Sequence, residues 1–253
     1  MVILSILFFI TAILYSSVGF GGGSTYLALM LIWDLPYYII PILALFCNII
    51  VVSGNSINYL RSGNINLKLL FPYLAGSIPF AFFGASISIE KNLFEIILFF
   101  ILTTAGVFLF IESKSFNNDK LEIKKVSNYL SILIGSVIGF FSGIVGIGGG
   151  IFSVPLLKMS GMEMKKAVGT GAACAFPIAL LSTASYLFLG WSNSDLPEYA
   201  IGYVYLPGLI GITIFSYFFA KIGAQLAHKL NDKFLQFIFA AHLVPVAIYW
   251  FLR

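Results

Sequence analysis

Charge is what this chain is short of. Its 253 residues carry only 10 acidic and 14 basic side chains. None falls within 35–60, 69–89, 96–111, 126–157, 167–194, 199–220 or 234–252. A soluble domain of this size needs a polar shell, and this composition cannot build one. Two cysteines and two histidines are present, with no C-x-x-C and no H-E-x-x-H. A Walker A loop and a Ser/His/Asp constellation are missing too, so nothing points to an enzyme, a metal site or a cofactor. Period-two alternation is absent, which argues against a β-barrel.

What the chain has is apolar length. Several charge-free stretches are long enough to cross a bilayer as helices. The class is therefore an all-α polytopic membrane protein. The formal net charge of +4 sits in short loops, where lysine and arginine set topology, so it is no sign of nucleic acid. The first apolar run lacks a basic leader and a small-residue cleavage site, and it reads as retained.

One glycine-rich block occurs twice. Val18-Gly19-Phe20-Gly21-Gly22-Gly23 matches Val145-Gly146-Ile147-Gly148-Gly149-Gly150 at five of six positions, 127 residues apart. At the same offset Cys47 meets Cys174, Ser56 meets Thr183, Tyr59-Leu60 meets Tyr186-Leu187, and Gly63 meets Gly190. Two homologous repeats are expected, over 1–111 and 127–253, with the charged stretch 112–126 as a cytoplasmic linker.

Charge distribution separates two topologies. If each glycine-broken run, 2–33 and 127–158, crosses the membrane once, the 14 Lys and Arg divide seven and seven. If each run enters and returns to its own side, they divide twelve and two. Only the second obeys the positive-inside rule. It gives two hairpin-like runs, an outside N-terminus, and three ordinary spans per half, so the halves read as inverted. The expected spans are 37–60, 67–89, 92–111, 167–190, 199–220 and 234–252.

Helices that begin at Gly23-Ser24-Thr25 and Gly150-Ile151-Phe152 leave their first N–H groups unpaired, which is costly in lipid. An anion satisfies them, because the free donors and the helix dipole both favour negative charge. With inverted repeats, two such starts face one cavity. The expected contacts are Gly21, Gly22, Gly23, Ser24 and Thr25 from the first block and Gly148, Gly149, Gly150 and Ile151 from the second. Asn48, Asn55 and Thr170 stand in support. The second copy offers no hydroxyl after its glycines until Ser153. The plainer alternative, close helix packing, suits Gly135, Gly139 and Gly143, which are spaced four apart on one face.

His242 is a candidate proton relay near mid-span, against a role as a hydrogen-bonded structural residue. Cys47 and Cys174 hold equivalent repeat positions. A redox pair is one reading, and small buried hydrophobes are the other.

The paired glycine blocks resemble those of the TauE/SafE family of membrane proteins, as do Gly143 to Gly150 leading to Pro155-Leu156 and Lys166-Ala167-Val168-Gly169-Thr170. The resemblance covers essentially the whole chain. The first copy departs from it, with Ala28 at the place of Pro155 and Leu43 at that of Thr170. The resemblance implies export of sulfite, sulfoacetate or other organosulfur anions. The resulting expectation is a multi-pass plasma-membrane secondary transporter whose partners are a small anionic solute and the lipid bilayer, with a homodimer left open. A passive anion channel and a thiol-redox membrane protein using Cys47 and Cys174 are the alternatives.

Overall fold

The computed structural model describes residues 21–33, 35–114, 127–191 and 199–206, together with 7, 8, 10, 11, 13, 209 and 210. Seven helices lie in this part: α1 (Gly23–Ile32), α2 (Ile40–Arg61), α3 (Leu67–Ala85), α4 (Lys91–Lys114), α5 (Asn128–Val145), α6 (Gly150–Met159) and α7 (Met164–Gly190). Helices α2, α3, α5 and α7 are long and apolar enough to cross a membrane. The ends are set locally. Asn66 and Ser127 accept from the backbone N–H of Leu69 and Leu130 and so cap α3 and α5, and Pro41 opens α2 where its missing donor is harmless.

Helices stand where spans are expected over 37–60, 67–89, 92–111 and 167–190, as α2, α3, α4 and α7, to within a few residues. The one expected over 199–220 begins differently. Ala200–Ile201 (β1) and Val204–Tyr205 (β2) pair antiparallel around Gly202, whose φ is 57°. This small hairpin folds back on the end of α7, with the Tyr203 ring 6.5 Å from that of Tyr186.

Helices α1 and α6 are the short ones. Each has 10 residues, and their bounds differ by the repeat offset of 127 at both ends. At about 1.5 Å per residue, ten residues cover roughly half of a hydrocarbon core. Every residue of α1 from Gly23 to Leu31 is buried, as suits a helix apolar all round. Tyr26, Leu27 and Met30 of α1 and Ile151 and Val154 of α6 share one core with Ile40 and Leu43 of α2 and Phe94 and Leu98 of α4.

Backbone contacts fix the directions. A Cβ at Gly135, Gly139 or Gly143 of α5 would run into the carbonyl oxygen of Tyr73, Ser77 or Ala81 of α3. Residue numbers rise together along this seam, so α3 and α5 are parallel and in backbone contact. Gly76 and Gly84 of α3 sit in the same way against Ile132 and Phe140. Helix α7 runs alongside them: Thr170 near its start accepts from the Asn66 N–H at 2.9 Å, and Ser185 near its end donates to the Phe82 carbonyl at 3.0 Å. Helix α2 is antiparallel, since Gly169 at the start of α7 abuts Tyr59 at the end of α2.

Within this frame α6 turns back. It starts beside the end of α5, and its following turn brings Met162 to Thr170 Oγ1 at 3.9 Å, level with the start of α3. Both ends of the broken run α5–α6 therefore reach the same end of the bundle. Arg61, Lys68, Lys158, Lys165 and Lys166 gather at that end, in the last turn of α2, the first turn of α3, the last turn of α6 and the first turn of α7.

Candidate solute-binding site

The two glycine blocks form left-handed turns that lead into α1 and α6. Gly22 precedes α1 with φ 74°, and Gly149 precedes α6 with φ 79°. L side chains rarely adopt this region, so glycine is required. In the second block Gly146 (φ 79°) and Gly148 (φ 76°) are left-handed as well. Past the turns, Thr25 and Tyr26 donate to the Gly22 carbonyl, and Phe152 and Ser153 donate to the Gly149 carbonyl, the same pattern in both copies. The N–H groups of Gly23, Gly150 and Ile151 have no hydrogen-bond partner among the described residues. These are the orphan donors of a helix start, here buried inside the protein.

The turns meet. A Cβ at Gly23 would lie 3.1 Å from the carbonyl oxygen of Ile147. Between them stands Asn48 of α2, whose Nδ2 donates to the Ile147 carbonyl at 2.9 Å. Its amide is wedged between two repeat-equivalent glycines. A Cβ at Gly21 would fall on Oδ1, and one at Gly148 would fall on Nδ2. Both positions are glycine for a reason outside the turn itself: one side chain fills the space where either Cβ would go.

The structure brings together part of the expected set. Gly21, Gly22, Gly23, Ser24 and Thr25 face Gly148, Gly149, Gly150 and Ile151 across Asn48, all of them buried. Ser24 and Thr25 already hold interactions of their own. Asn55 lies two turns farther along α2, buried, and its Nδ2 has no partner among the described residues. Thr170 stands apart from the turns: its hydroxyl accepts from Asn66 and donates to Met162, tying α7 to the start of α3 and to the turn that follows α6. Ser153 Oγ donates to the Gly149 carbonyl at 2.9 Å and sits 2.7 Å from the Tyr73 hydroxyl. Cys47 and Cys174 are both buried, and no disulfide joins them. His242 lies outside the described residues.

Sequence reasoning passed over three groups here. Tyr186 of α7 donates to the carbonyl oxygens of Gly143 and Ile144, at 3.2 and 2.9 Å, and so serves the open C-terminal end of α5. Ser142 lies beside the second turn, with Oγ 3.3 Å from where a Cβ on Gly149 would stand. A cleft of about 410 Å3 opens at the end of the bundle where α2 starts. Tyr37, Tyr38, Tyr186 and Tyr203 line it, with Pro41 and Ile144 among its walls. Pro41 also packs against Gly146 of the second glycine block.

A family model described as Sulfite exporter TauE/SafE matches residues 4–250. A probable membrane transporter protein of Haemophilus influenzae is 32% identical over 249 residues, covering 93% of this chain and 92% of the relative. The probable membrane transporter protein MJ0441 of Methanocaldococcus jannaschii is 30% identical over 266 residues, covering 99% and 95%. Sulfite exporter TauE/SafE family protein 5 of Arabidopsis thaliana is 34% identical over 86 residues, covering 34% of this chain and 19% of that one. No solved structure matches.

Proposed function

The chain belongs to the Sulfite exporter TauE/SafE family of membrane transporters, and from that membership we propose that it is a secondary transporter of small sulfur-containing oxyanions such as sulfite or sulfoacetate. It works in the plasma membrane, as an exporter. The observation that carries this reading is the pair of buried helix starts. Two half-helices begin side by side with N–H groups that have no partner among the described residues, and none of the described residues that touch these starts is acidic. A buried site of donors at the positive ends of helices suits a small anion and disfavours a cation.

We read the halves as inverted repeats over 1–111 and 127–253, joined by a cytoplasmic linker over 112–126. Two facts support this. Helices α1 and α6 start at one place and lead to the starts of α2 and α7, which lie at opposite ends of the bundle. The basic end formed by Arg61, Lys68, Lys158, Lys165 and Lys166 is then cytoplasmic. The tyrosine-lined cleft becomes an outer vestibule. Alternating access is rocking of one half against the other about the paired glycine turns, with Asn48 at the pivot.

The test is reconstitution. Purified protein in liposomes is loaded with sulfite, sulfoacetate, taurine or sulfate, and efflux and counterflow are followed. Saturable flux with counterflow for sulfite or sulfoacetate, and little for zwitterionic taurine, is the expected result. Flux that does not saturate and lacks counterflow would make the protein a channel. No flux of any sulfur anion would remove the substrate assignment.

A further inference from the structure

Three serine hydroxyls are fully buried without a hydrogen-bond partner among the described residues: Ser77 on α3, Ser142 on α5 and Ser182 on α7. A buried hydroxyl left unpaired is costly, and most in native proteins find a partner. These three come from three helices that pack on one another, two of which, α5 and α7, reach the second glycine turn. Ser77 packs its backbone on Gly139, which lies one turn before Ser142. Ser142 Oγ stands 3.3 Å from where a Cβ of Gly149 would be, and the Ile178 side chain of α7 reaches the same point at 2.9 Å. Ser182 follows Ile178 by one turn, and Tyr186 follows Ser182 by another, bonding to the carbonyls of Gly143 and Ile144. Ser182 thus lies on the same face of α7 as Ile178 and Tyr186, between a contact with Gly149 and one with the end of α5.

Gly149 is the residue from which α6 departs, and the N–H groups of Gly150 and Ile151 are the unpaired ones. Hydroxyl donors without partners and free backbone N–H groups therefore converge on the positive end of a helix of 10 residues. The midpoint between the two turns is otherwise engaged. Asn48 fills it, and one of its two amide N–H donors is committed to the Ile147 carbonyl. We infer that Ser142 and Ser182 bind the oxygen atoms of the transported anion at the start of α6, so that the second glycine turn alone, and not the space between the turns, is the oxyanion site. The ligand class is a compact oxyanion or sulfonate head group, because donors at a helix start favour a small anion and the side chains of Ile138 and Ile178 crowd the same point at Gly149. The assignment rests on the transporter reading above and narrows it to named side chains.

Titration calorimetry of the full-length protein in detergent, with sulfite and with sulfoacetate as probes, tests this alongside melting temperature. The proteins compared are wild type, Ser142→Ala, Ser182→Ala, the double variant and Ser153→Ala. Loss of one hydrogen bond to a charged group is expected to weaken each probe by about tenfold or more in the first two variants. Their melting temperatures should hold or rise, since a buried unpaired hydroxyl has been removed. Ser153→Ala gives the opposite pattern, a lower melting temperature with affinity within about threefold of wild type, because Ser153 already has protein partners. Wild-type affinity in both single variants and the double would overturn this assignment while leaving the transporter reading intact. A wild-type protein that binds neither probe would overturn both.

Discussion

Asn48 of α2 and Ile147 of the second glycine block, 99 positions apart, are joined by a hydrogen bond of 2.9 Å from Nδ2 to the backbone carbonyl. This one bond ties the first half of the chain to the turn of the second. It also sets the tolerance of two glycines. At Gly21 the Asn48 side chain stands where a Cβ would go, whereas Gly148 is excluded by Asn48 and also by its own φ of 76°. Gly21→Ala should therefore lower the melting temperature, and Asn48→Ala in the same chain should restore most of that loss. The rescue is incomplete because the Asn48 Cα is itself 2.9 Å from the added carbon. Gly148→Ala should not be rescued, since backbone strain of about 1–3 kcal/mol persists whatever stands at position 48. Thermal melts of the four single and double variants check this, and equal rescue at both glycines would refute it.

The α3–α5 seam gives a second expectation. Gly139→Val places a branched side chain against the backbone of Ser77 and should cost about 3 kcal/mol or more, because a carbonyl oxygen cannot move aside as a side chain would. Gly54, in the middle of α2, has nothing within 4 Å of its added Cβ. Gly54→Ala should be neutral or stabilising by up to about 1 kcal/mol, through helix propensity. Melting temperatures in one detergent compare the pair. A neutral Gly139→Val would mean that the two backbones do not touch.

Topology is open to labelling. Cys47→Ser and Cys174→Ser should be tolerated together, giving a cysteine-free background. Single cysteines at Met159 or Lys165 should then react with an impermeant maleimide only after the cells are permeabilised. Cysteines at Tyr37 or Ser88, in the cleft, should react in intact cells. Labelling of position 159 from outside would break the hairpin reading of α5 and α6.

His242 carries the expectation for pH. If it relays protons, flux rises and falls with its protonation, and His242→Ala should flatten the dependence of transport between about pH 5.5 and 7.5. Proteoliposome flux at several pH values decides. An unchanged profile returns His242 to a structural role.

Much of the architecture could be read from residues alone, because membrane helices leave coarse marks. The glycine breaks, the four-residue spacing of Gly135, Gly139 and Gly143, and the placement of Lys158 with Arg61 each follow from a period or a count. The site was less legible. Thr170 belongs to a family-like motif, yet its hydroxyl serves the start of α3, a partner 104 positions away that no local spacing announces. Ser142 lies inside the packing run and reads as one more small residue there. Its significance appears only when α7 and the start of α6 close around it. The Ala200 to Tyr205 hairpin had a signal, Gly202 between β-branched and aromatic residues, which the long apolar stretch concealed.

The parallel seam between α3 and α5 joins one half of the chain to the other, and this bears on how the protein is made. Ser77 is synthesised roughly sixty residues before its partner Gly139. Until then α3 offers its notched face, Gly76 and Gly84 included, to lipid or to the insertion machinery. The first half on its own is thus a biosynthetic intermediate with an open flank, and a ribosome stalled within 115–126 would leave it in that state. What it lacks is α5, whose glycines close against the backbone of that face.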